Sequence, residues 1–314
     1  MYFSVVLPVY NNAPALCELA TRLLRECRSI TESFELIFVN DGSTDDSLQF
    51  LNELADSDHR IKVIALSRNF GQHPAISAGF EHANGQYIVL MDADLQDRPE
   101  DIQRLLAELS CNDCDVVYTL KQPDNFSLPT ARLSSALYHF VFSRLVGSEV
   151  PLNIGTFRAF NHKVHSALLR FPEVNVLYGP LMFYIGFSSR IISLPFSRRP
   201  YGKSSYSLAK RIELASNSLM SYTDIPHRLT SLAGVLLLLG TLGYGLTVVI
   251  QYLLIGRSLP SGITVVILLI CTLVGAVLFS LGIIGGYVFR IYQEVLRRPR
   301  YLVRSMRNIS DHHQ

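Results

Sequence analysis

Two aspartates one residue apart, Asp92 and Asp94, are the residues of this sequence best placed to do chemistry. They follow the apolar run 87–91, which is typical of a buried strand. Paired carboxylates at the end of such a strand can hold a divalent cation. Mg²⁺ and Mn²⁺ prefer oxygen ligands, and a diphosphate can fill the coordination positions that the protein leaves open. Taken alone, the segment is more typical of an acidic turn after a strand, because Asp is common in turns.

The elements around this segment alternate strand with helix. Buried strands are predicted at 4–7, 34–39, 61–66, 87–91 and 115–119, and helices at about 14–29, 45–55, 74–83 and from Pro99 onward. Strands separated by helices of this length predict βαβ units and a mainly parallel sheet of the α/β class. In such a sheet the ligand crevice lies outside the carboxyl ends of the strands, where Asp92 and Asp94 are expected.

Two common phosphate-binding signatures are missing from the sequence. No G-x-G-x-x-G follows the first strand, and no G-x-x-x-x-G-K-[ST] occurs in the chain. Any bound phosphate must therefore be held by a metal and by side chains rather than by a glycine-rich loop. This favours the metal-binding interpretation of Asp92 and Asp94.

Two long stretches, 229–256 and 258–289, contain no Asp, Glu, Lys or Arg. Each exceeds the roughly 20 apolar residues that a helix needs to cross a bilayer, and buried core helices of that length normally show a polar stripe. We therefore predict a two-helix transmembrane hairpin. Basic residues cluster at both of its ends and only Arg257 lies in its turn, so the positive-inside rule predicts that both termini are cytoplasmic. The first residues lack the pattern of a signal peptide.

The chain is thus divided into four predicted parts. Residues 1–206 form a cytoplasmic α/β domain, 207–228 an amphipathic helix in the membrane interface, 229–289 the hairpin and 290–314 a basic cytoplasmic tail. A helix packed on the surface of the soluble domain remains an alternative for 207–228.

The net charge of the chain indicates which kinds of molecule it is expected to bind. The chain has 28 Lys and Arg against 26 Asp and Glu, a formal charge of +2, which argues against nucleic acid as a partner. The basic residues near the hairpin are better explained by anionic lipid headgroups. Small residues at Gly282-x-x-x-Gly286 fit either a homo-oligomer contact or packing of the hairpin on itself.

Four short motifs occur in order along the α/β part of the chain: Pro8-Val9-Tyr10-Asn11, Asn40-Asp41-Gly42-Ser43, Ser67-Arg68-Asn69-Phe70-Gly71 and Asp92-Ala93-Asp94-Leu95-Gln96-Asp97. In order and spacing they resemble glycosyltransferase family 2. Within that family the chain is similar to the polyprenyl-phosphate glycosyltransferases, which include dolichyl-phosphate mannose synthase and bacterial undecaprenyl-phosphate sugar transferases. The resemblance covers essentially the whole chain, including the terminal hairpin.

This resemblance implies a GT-A fold for 1–206, a nucleotide sugar as donor, Mg²⁺ or Mn²⁺ as cofactor and a lipid phosphate as acceptor. By position, the metal would be held by Asp92, Asp94 and Gln96, and Asp41 would accept hydrogen bonds from the base or ribose. The nucleotide sugar would be bound by Pro8, Tyr10, Asn11, Asp41, Gly42, Asn69, Asp92 and Ala93. Uridine is the expected base by analogy with bacterial relatives.

The resemblance also implies catalytic roles for Asp94, Arg132, Arg199 and Lys203, of which the three cations would orient the lipid phosphate. A solvated basic face beside anionic lipid is the alternative for these three. The chain departs from the family pattern at three positions, where Asn12 and Thr156 replace carboxylates and Ser205 replaces a lysine. These departures suggest a branch with its own sugar or acceptor geometry.

The expected function is therefore metal-dependent transfer of a sugar from a nucleoside diphosphate to polyprenyl phosphate at the inner membrane, for modification of cell-envelope glycans. Two alternatives remain. A processive polysaccharide synthase would carry a Trp-containing acceptor motif and usually more membrane spans, whereas this chain has no Trp. A membrane scaffold or sugar-nucleotide sensor with the same fold would be favoured by loss of the paired aspartates, which are present.

Overall fold

The structure is a computed structural model that describes residues 2–111, 114–121, 154–173, 176–194 and 262–309, with scattered positions between 232 and 254. It consists of two compact units. One comprises Met1–Ser207 together with Arg298–Gln314, and the other comprises Leu208–Arg297. The predicted amphipathic helix at 207–228 and most of the first predicted membrane span at 229–256 lie outside the described residues.

Strands and helices alternate from residue 3 to residue 121 of the first unit, as the hydrophobic pattern predicts. The strands are β1 (Phe3–Val9), β2 (Phe34–Asn40), β3 (Ile61–Leu66), β4 (Tyr87–Leu90), β5 (Val116–Lys121), β6 (Ile154–Asn161), β7 (Ser189–Leu194) and β8 (Val303–Arg307). The helices described in this unit are α1 (Ala13–Ile30), α2 (Ser47–Ser57), α3 (Gln72–Glu81), α4 (Ile102–Cys111), α5 (His162–Leu168) and α6 (Tyr178–Tyr184), and a 3₁₀ turn at Pro99–Asp101 precedes α4. The second unit contains α7 (Gly262–Val295).

The first four strands pair in parallel, as predicted, and the structure gives the order of this parallel half-sheet as β3-β2-β1-β4. Strand β1 continues through Pro8 to Val9, although the sequence predicts that it ends at Leu7. The Val6 carbonyl accepts a hydrogen bond from the Met91 N–H at 3.1 Å, so residues 6 and 8 both direct their backbone groups toward β4. Strand β4 ends at Leu90, opposite Val6, so Pro8 can lack an N–H without breaking the ladder.

The other half makes the sheet mixed rather than mainly parallel. Strand β6 inserts between β4 and β5 and runs antiparallel to both, while β7 pairs parallel to β5. Strand β5, which the sequence places as a fifth member of the βαβ series, is therefore separated from β4. The reason is a long-range pairing: β6 belongs to a later part of the chain than β5 and fills the position beside β4.

Hydrophobic side chains form one core on each face of the sheet. Alternate residues of β1 show this division, since Phe3, Val5 and Leu7 belong to the core beneath α1, α2 and α4, whereas Val6 belongs to the core beneath α3, α5 and α6. Helix α1 buries Leu16, Leu19 and Leu23, a spacing that places them on one helical face. Both faces of the parallel half-sheet are thus covered, which explains why its strands are almost continuously apolar.

Among the described residues, one helix is long and apolar enough to cross a membrane. The candidate span is the 24-residue segment Thr272–Val295 of α7, in which an 18-residue window has a mean hydropathy of 2.0. This helix includes most of the second predicted span and extends beyond its predicted end at 289 through Arg290 and Glu294. A two-helix hairpin is not confirmed.

The C-terminal part of the chain is more than the predicted basic tail. Strand β8 lies at the edge of the sheet and pairs antiparallel with β3, from Leu66↔Val303 to Val63↔Arg307. The compact unit that contains the sheet therefore is not confined to 1–206, because it includes a strand that follows the apolar helix.

Candidate functional site

The two aspartates lie at the carboxyl edge of the parallel half-sheet, where the sequence predicts them. Strand β4 ends at Leu90, and Asp92 and Asp94 follow within four residues. Asp92 Oδ1 accepts a hydrogen bond from Gln72 Nε2 at 2.8 Å, and Asp94 Oδ1 accepts one from the Gln96 N–H at 3.1 Å. Asp94 is buried, whereas Asp92 and Gln96 are half-buried. These two hydrogen bonds hold the acidic segment in place.

Leu95 gives this segment its shape. Its φ of 61° lies in the left-handed region, which costs a residue with a side chain about 1 kcal/mol. The Leu95 side chain is buried in the core beneath α1 and α4, so packing holds it in this conformation. The resulting turn brings the Gln96 N–H back to the Asp94 carboxylate.

The donor atoms of this segment fit a hard divalent cation. Asp92, Asp94 and Gln96 offer carboxylate and amide oxygens, the ligand types that Mg²⁺ and Mn²⁺ prefer. Across the described ranges, no group of three or more His, Cys, Asp and Glu side chains is arranged to hold a metal. A metal held here would therefore depend on further oxygens from a bound ligand such as a diphosphate.

A buried arginine lies beside the acidic segment. Arg158 on β6 pairs with Leu90 and Tyr118 across the sheet, and its guanidinium donates from Nε to the Thr156 carbonyl and from Nη2 to the Gly155 carbonyl, both at 2.9 Å. Burial lowers the pKa of Arg158, while Tyr118, Asp92 and Asp97 act in the opposite direction. Arg158 therefore supplies positive charge behind the carboxylates. The sequence signal for it is a single cation within the apolar run 157–160.

His73 is a second residue at this edge, and no motif of the sequence singles it out. Burial, and then the positive charge of Arg158, lower the pKa of His73 to about 4, so its imidazole is neutral at neutral pH. Its Nδ1 is buried with no hydrogen-bond partner among the described residues. His73 follows Gln72, whose amide holds Asp92, so α3 begins beside the acidic segment.

Asp41 and Gly42 organise the loop 67–71, here called the nucleotide loop because the family resemblance predicts that its residue Asn69 binds the nucleotide sugar. Asp41 is buried, and its two carboxylate oxygens accept the backbone N–H groups of Phe70 at 2.7 Å and Gly71 at 2.9 Å. Gly42 has a φ of 63°, and a Cβ built there would lie 2.3 Å from the Arg68 carbonyl carbon. Only glycine fits at this position. In this structure Asp41 thus holds a loop backbone, a role additional to the predicted contact with a base or ribose.

The loop after β1 connects the other two loops of the site. Asn11, with a φ of 52°, accepts the Thr44 N–H on Oδ1 at 2.8 Å and donates its own N–H to Ser43 Oγ at 3.0 Å. Asn12 donates from Nδ2 to the Ala93 carbonyl at 3.3 Å, between the two aspartates. A carboxylate, the residue usual here in the family resembled, could not donate this hydrogen bond when ionised.

The structure brings most of the predicted site residues to one edge of the sheet. These are Pro8, Tyr10, Asn11, Asp41, Gly42, Asn69, Asp92, Ala93, Asp94 and Gln96. Tyr10 and Asn69 have exposed side chains, as a ligand contact requires. Arg132, Arg199, Lys203 and Ser205 lie outside the described residues. Thr156 is half-buried on β6, and its carbonyl accepts from Arg158.

Comparison with known proteins gives one family match. Residues 4–169 match the family model described as glycosyl transferase family 2. The chain is 33% identical over 307 residues to the undecaprenyl-phosphate 4-deoxy-4-formamido-L-arabinose transferase of Salmonella choleraesuis, covering 96% of this chain and 93% of that protein. It is 33% identical over 310 residues to the uncharacterised glycosyltransferase YkcC of Bacillus subtilis, covering 98% and 95%. A mannosyltransferase of Pyrobaculum calidifontis solved with GDP-Man and Mn²⁺ superposes with a TM-score of 0.47 at 17% identity, covering 64% of this chain and 58% of that one.

Proposed function

The chain belongs to glycosyl transferase family 2, and on that premise we propose that it transfers a sugar from a UDP-sugar to polyprenyl phosphate, giving a lipid-linked monosaccharide for cell-envelope glycans. The observation that carries the proposal is the similarity to the undecaprenyl-phosphate transferase, which extends over 96% of the chain. That similarity therefore includes the region after the family domain, where α7 and β8 lie, and is not limited to the donor-binding half.

The donor half of the proposal rests on the carboxyl edge of β1, β2 and β4. Tyr10 and Asn69 expose side chains on either side of the Asp41–Gly42 turn, where a base and ribose can bind. Asp92, Asp94 and Gln96 would hold Mg²⁺ or Mn²⁺, which when bound neutralises the charge of the leaving diphosphate. Asn12 and Gln72 keep this segment in place through Ala93 and Asp92.

The acceptor half rests on the chemistry of a phosphate monoester. Its second pKa is near 6, so at neutral pH it arrives largely as an oxyanion that needs no general base to remove a proton. A threonine at position 156 in place of the usual carboxylate is compatible with such an acceptor. Arg132, Arg199 and Lys203 are proposed to orient the phosphate, and attack in line on the anomeric carbon would invert its configuration.

We further propose that α7 and the stretch 229–256 form a transmembrane hairpin in the inner membrane, with the catalytic unit and both termini in the cytoplasm. The support is the apolar helix Thr272–Val295 together with the basic residues that flank the two stretches. A homo-oligomer through Gly282-x-x-x-Gly286 remains part of the same hypothesis.

The test is to incubate membranes containing the full-length protein with a panel of UDP-, GDP- and dTDP-sugars, undecaprenyl phosphate and Mg²⁺ or Mn²⁺. Extracted lipids are then identified by mass. We expect one undecaprenyl-phosphate monosaccharide that is absent when the protein carries Asp94→Asn. A product in which the sugar is attached to a glycan hydroxyl, or transfer without a polyprenyl acceptor, would contradict the proposal.

A further inference from the structure

The nucleotide loop is held at three places, and one of them belongs to the C-terminal part of the chain. Asp41 holds Phe70 and Gly71, and Gly42 contacts the backbone at Arg68. The beginning of the loop is held differently. The Ser67 N–H donates to the carbonyl of Leu302 at 2.8 Å, one step beyond the β3–β8 ladder. Asn69 therefore lies on a loop whose two ends are fixed by residues far apart in sequence.

The segment that supplies Leu302, residues 300–308, is itself fastened at both of its ends. At its start, the Tyr301 hydroxyl donates to Glu81 Oε2 at 2.5 Å, and the Arg300 guanidinium donates to the Phe171 carbonyl. Burial, and then the carboxylate of Glu81, raise the pKa of Tyr301, so the hydroxyl retains the proton that it donates. Tyr301 and Val303 also pack on the core beneath α3.

At its end, Asn308 has a φ of 56° and donates from Nδ2 to the carbonyls of Ala55 at 2.6 Å and Ile61 at 2.9 Å. An exposed ion pair joins Arg307 to Asp56 at 2.8 Å. The segment thus connects the ends of α2 and α3 across the edge of the sheet.

Helix α3 extends these contacts toward the acidic segment. It begins at Gln72, whose amide holds Asp92, and ends at Glu81, which accepts from Tyr301. The nucleotide loop and α3 are consecutive in sequence, and the C-terminal segment contacts the start of the loop and the end of the helix. A shift of this segment would therefore act on Asn69 through Ser67 and on Asp92 through Gln72.

We propose that residues 300–308 are a positioning element of the donor site, with Leu302 and Tyr301 setting the nucleotide loop through Ser67 and Glu81. The consequence for binding rests on the proposed function. Donor binding would then depend on a segment that reaches the sheet only after the apolar helix, so that residues 1–206 alone would bind the nucleotide weakly.

The experiment uses the full-length protein in lipid nanodiscs and three variants. Tyr301→Phe removes only the hydroxyl that binds Glu81, and Ser67→Pro removes the N–H that binds Leu302. Tyr184→Phe is the matched control, because Tyr184 is 70% exposed in the same unit. Amide hydrogen exchange of the peptide containing 67–71 is measured without ligand, and UDP affinity is measured with MnCl₂.

We expect faster exchange at 67–71 in both test variants. We also expect about 5-fold weaker UDP binding in Tyr301→Phe, since a hydrogen bond to a charged group is lost, and no change in Tyr184→Phe. If Ser67→Pro does not fold, the result for Tyr301→Phe alone tests the positioning role. Unchanged exchange at 67–71 in Tyr301→Phe would overturn the positioning role. Wild-type protein that exchanges slowly at 67–71 but fails to bind UDP would instead count against the proposed donor, because the exchange result does not depend on nucleotide.

Discussion

The two edges of the parallel half-sheet use buried charge differently. At the amino edge, carboxylates meet cationic side chains, since Glu35 lies 2.5 Å from Lys62 Nζ and Asp58 lies 2.8 Å from Arg60. At the carboxyl edge, Asp41 and Asp94 accept hydrogen bonds from backbone N–H groups, and Asp92 accepts one from the side-chain amide of Gln72. The carboxylates of the amino edge thus form ion pairs within the fold, whereas those of the carboxyl edge accept hydrogen bonds from N–H groups at the proposed metal site.

The difference separates polar residues that maintain the fold from those proposed to bind a ligand. Glu35 is fully buried, and its Oε1 accepts from Ser4 Oγ at 2.5 Å and from the Asn84 N–H at 2.7 Å. Such a satisfied network stabilises one packing arrangement. Asp92 and Asp94 lie one residue apart at the carboxyl edge, and a cation bound there, as proposed, would offset the repulsion between their like charges.

The sharpest test of this comparison is Asp94→Asn, for which we expect the largest effect. The substitution keeps the shape of the side chain but removes one negative charge from the proposed metal site. Transfer to undecaprenyl phosphate should fall at least about 1000-fold, as expected when transition-state charge loses its stabilisation, while the melting temperature stays the same or rises. Near-normal turnover with either Mg²⁺ or Mn²⁺ would remove Asp94 from the metal site.

The same chemical change at the other edge should have the opposite result. Glu35→Gln would place a buried amide nitrogen near the Lys62 ammonium and leave this half-buried cation without its counter-charge. We expect a loss of about 3 kcal/mol in the free energy of unfolding, measured by denaturant titration, with kcat/KM per folded molecule nearly unchanged. A stable Glu35→Gln protein with impaired catalysis would break the division between the two edges.

A third substitution tests the backbone of the carboxyl edge. Gly42→Ala would place a Cβ 2.3 Å from the Arg68 carbonyl carbon, so the nucleotide loop must move. We expect UDP affinity to weaken by about 10-fold, equivalent to about 1.4 kcal/mol, with a smaller change in thermal stability. Gly186→Ala is the matched control, because Gly186 also has a positive φ but has open space around its Cβ. Equal effects of the two substitutions would mean that strain at φ, rather than loop contact, is responsible.

The smallest expected effect concerns pH and the amino edge. The Arg60 guanidinium lowers the pKa of Asp58 well below its usual range, with further hydrogen bonds from the Arg60 backbone and Arg28. Because the folded-state pKa is the lower one, this stabilisation is present above the unfolded pKa of about 3.9 and is lost as pH falls below it. Asp58→Asn should therefore show a smaller drop in melting temperature between pH 5 and pH 3 than wild type. An identical acid profile would show that Asp58 contributes nothing to this dependence.

Much of the donor edge could be predicted from local patterns. The strands predicted at 34–39 and 61–66 agree to within one residue with β2 and β3, because a strand buried on both faces needs a continuous apolar sequence. The positions of Asp92 and Asp94 followed from that reasoning, since polar residues directly after a buried strand must emerge at its carboxyl end. Sequence similarity then identified the family independently of the structure.

The contacts of individual side chains could not be predicted in the same way. Asp41 was expected to accept from a base or ribose, and the structure shows it accepting from Phe70 and Gly71. The sequence does not predict Arg158 and His73 as site residues. A lone cation in a strand and a histidine at the start of a helix become informative only when their surroundings are known. Burial around these residues, rather than their identity, makes them part of the site.

The strands and helices of the parallel half-sheet, the location of the acidic segment and the apolar character of α7 follow from the sequence alone, because each depends on residues close together in the chain. That β6 separates β4 from β5, and that β8 pairs with the edge strand β3, is seen only in the folded structure. Each of these strand pairings joins residues far apart in sequence, as Val63 and Arg307 are. Which strands pair therefore depends on the sum of packing and hydrogen bonds on both faces of the sheet. Local periodicity specifies that a strand forms and which side faces the core, but it does not specify the strand beside it.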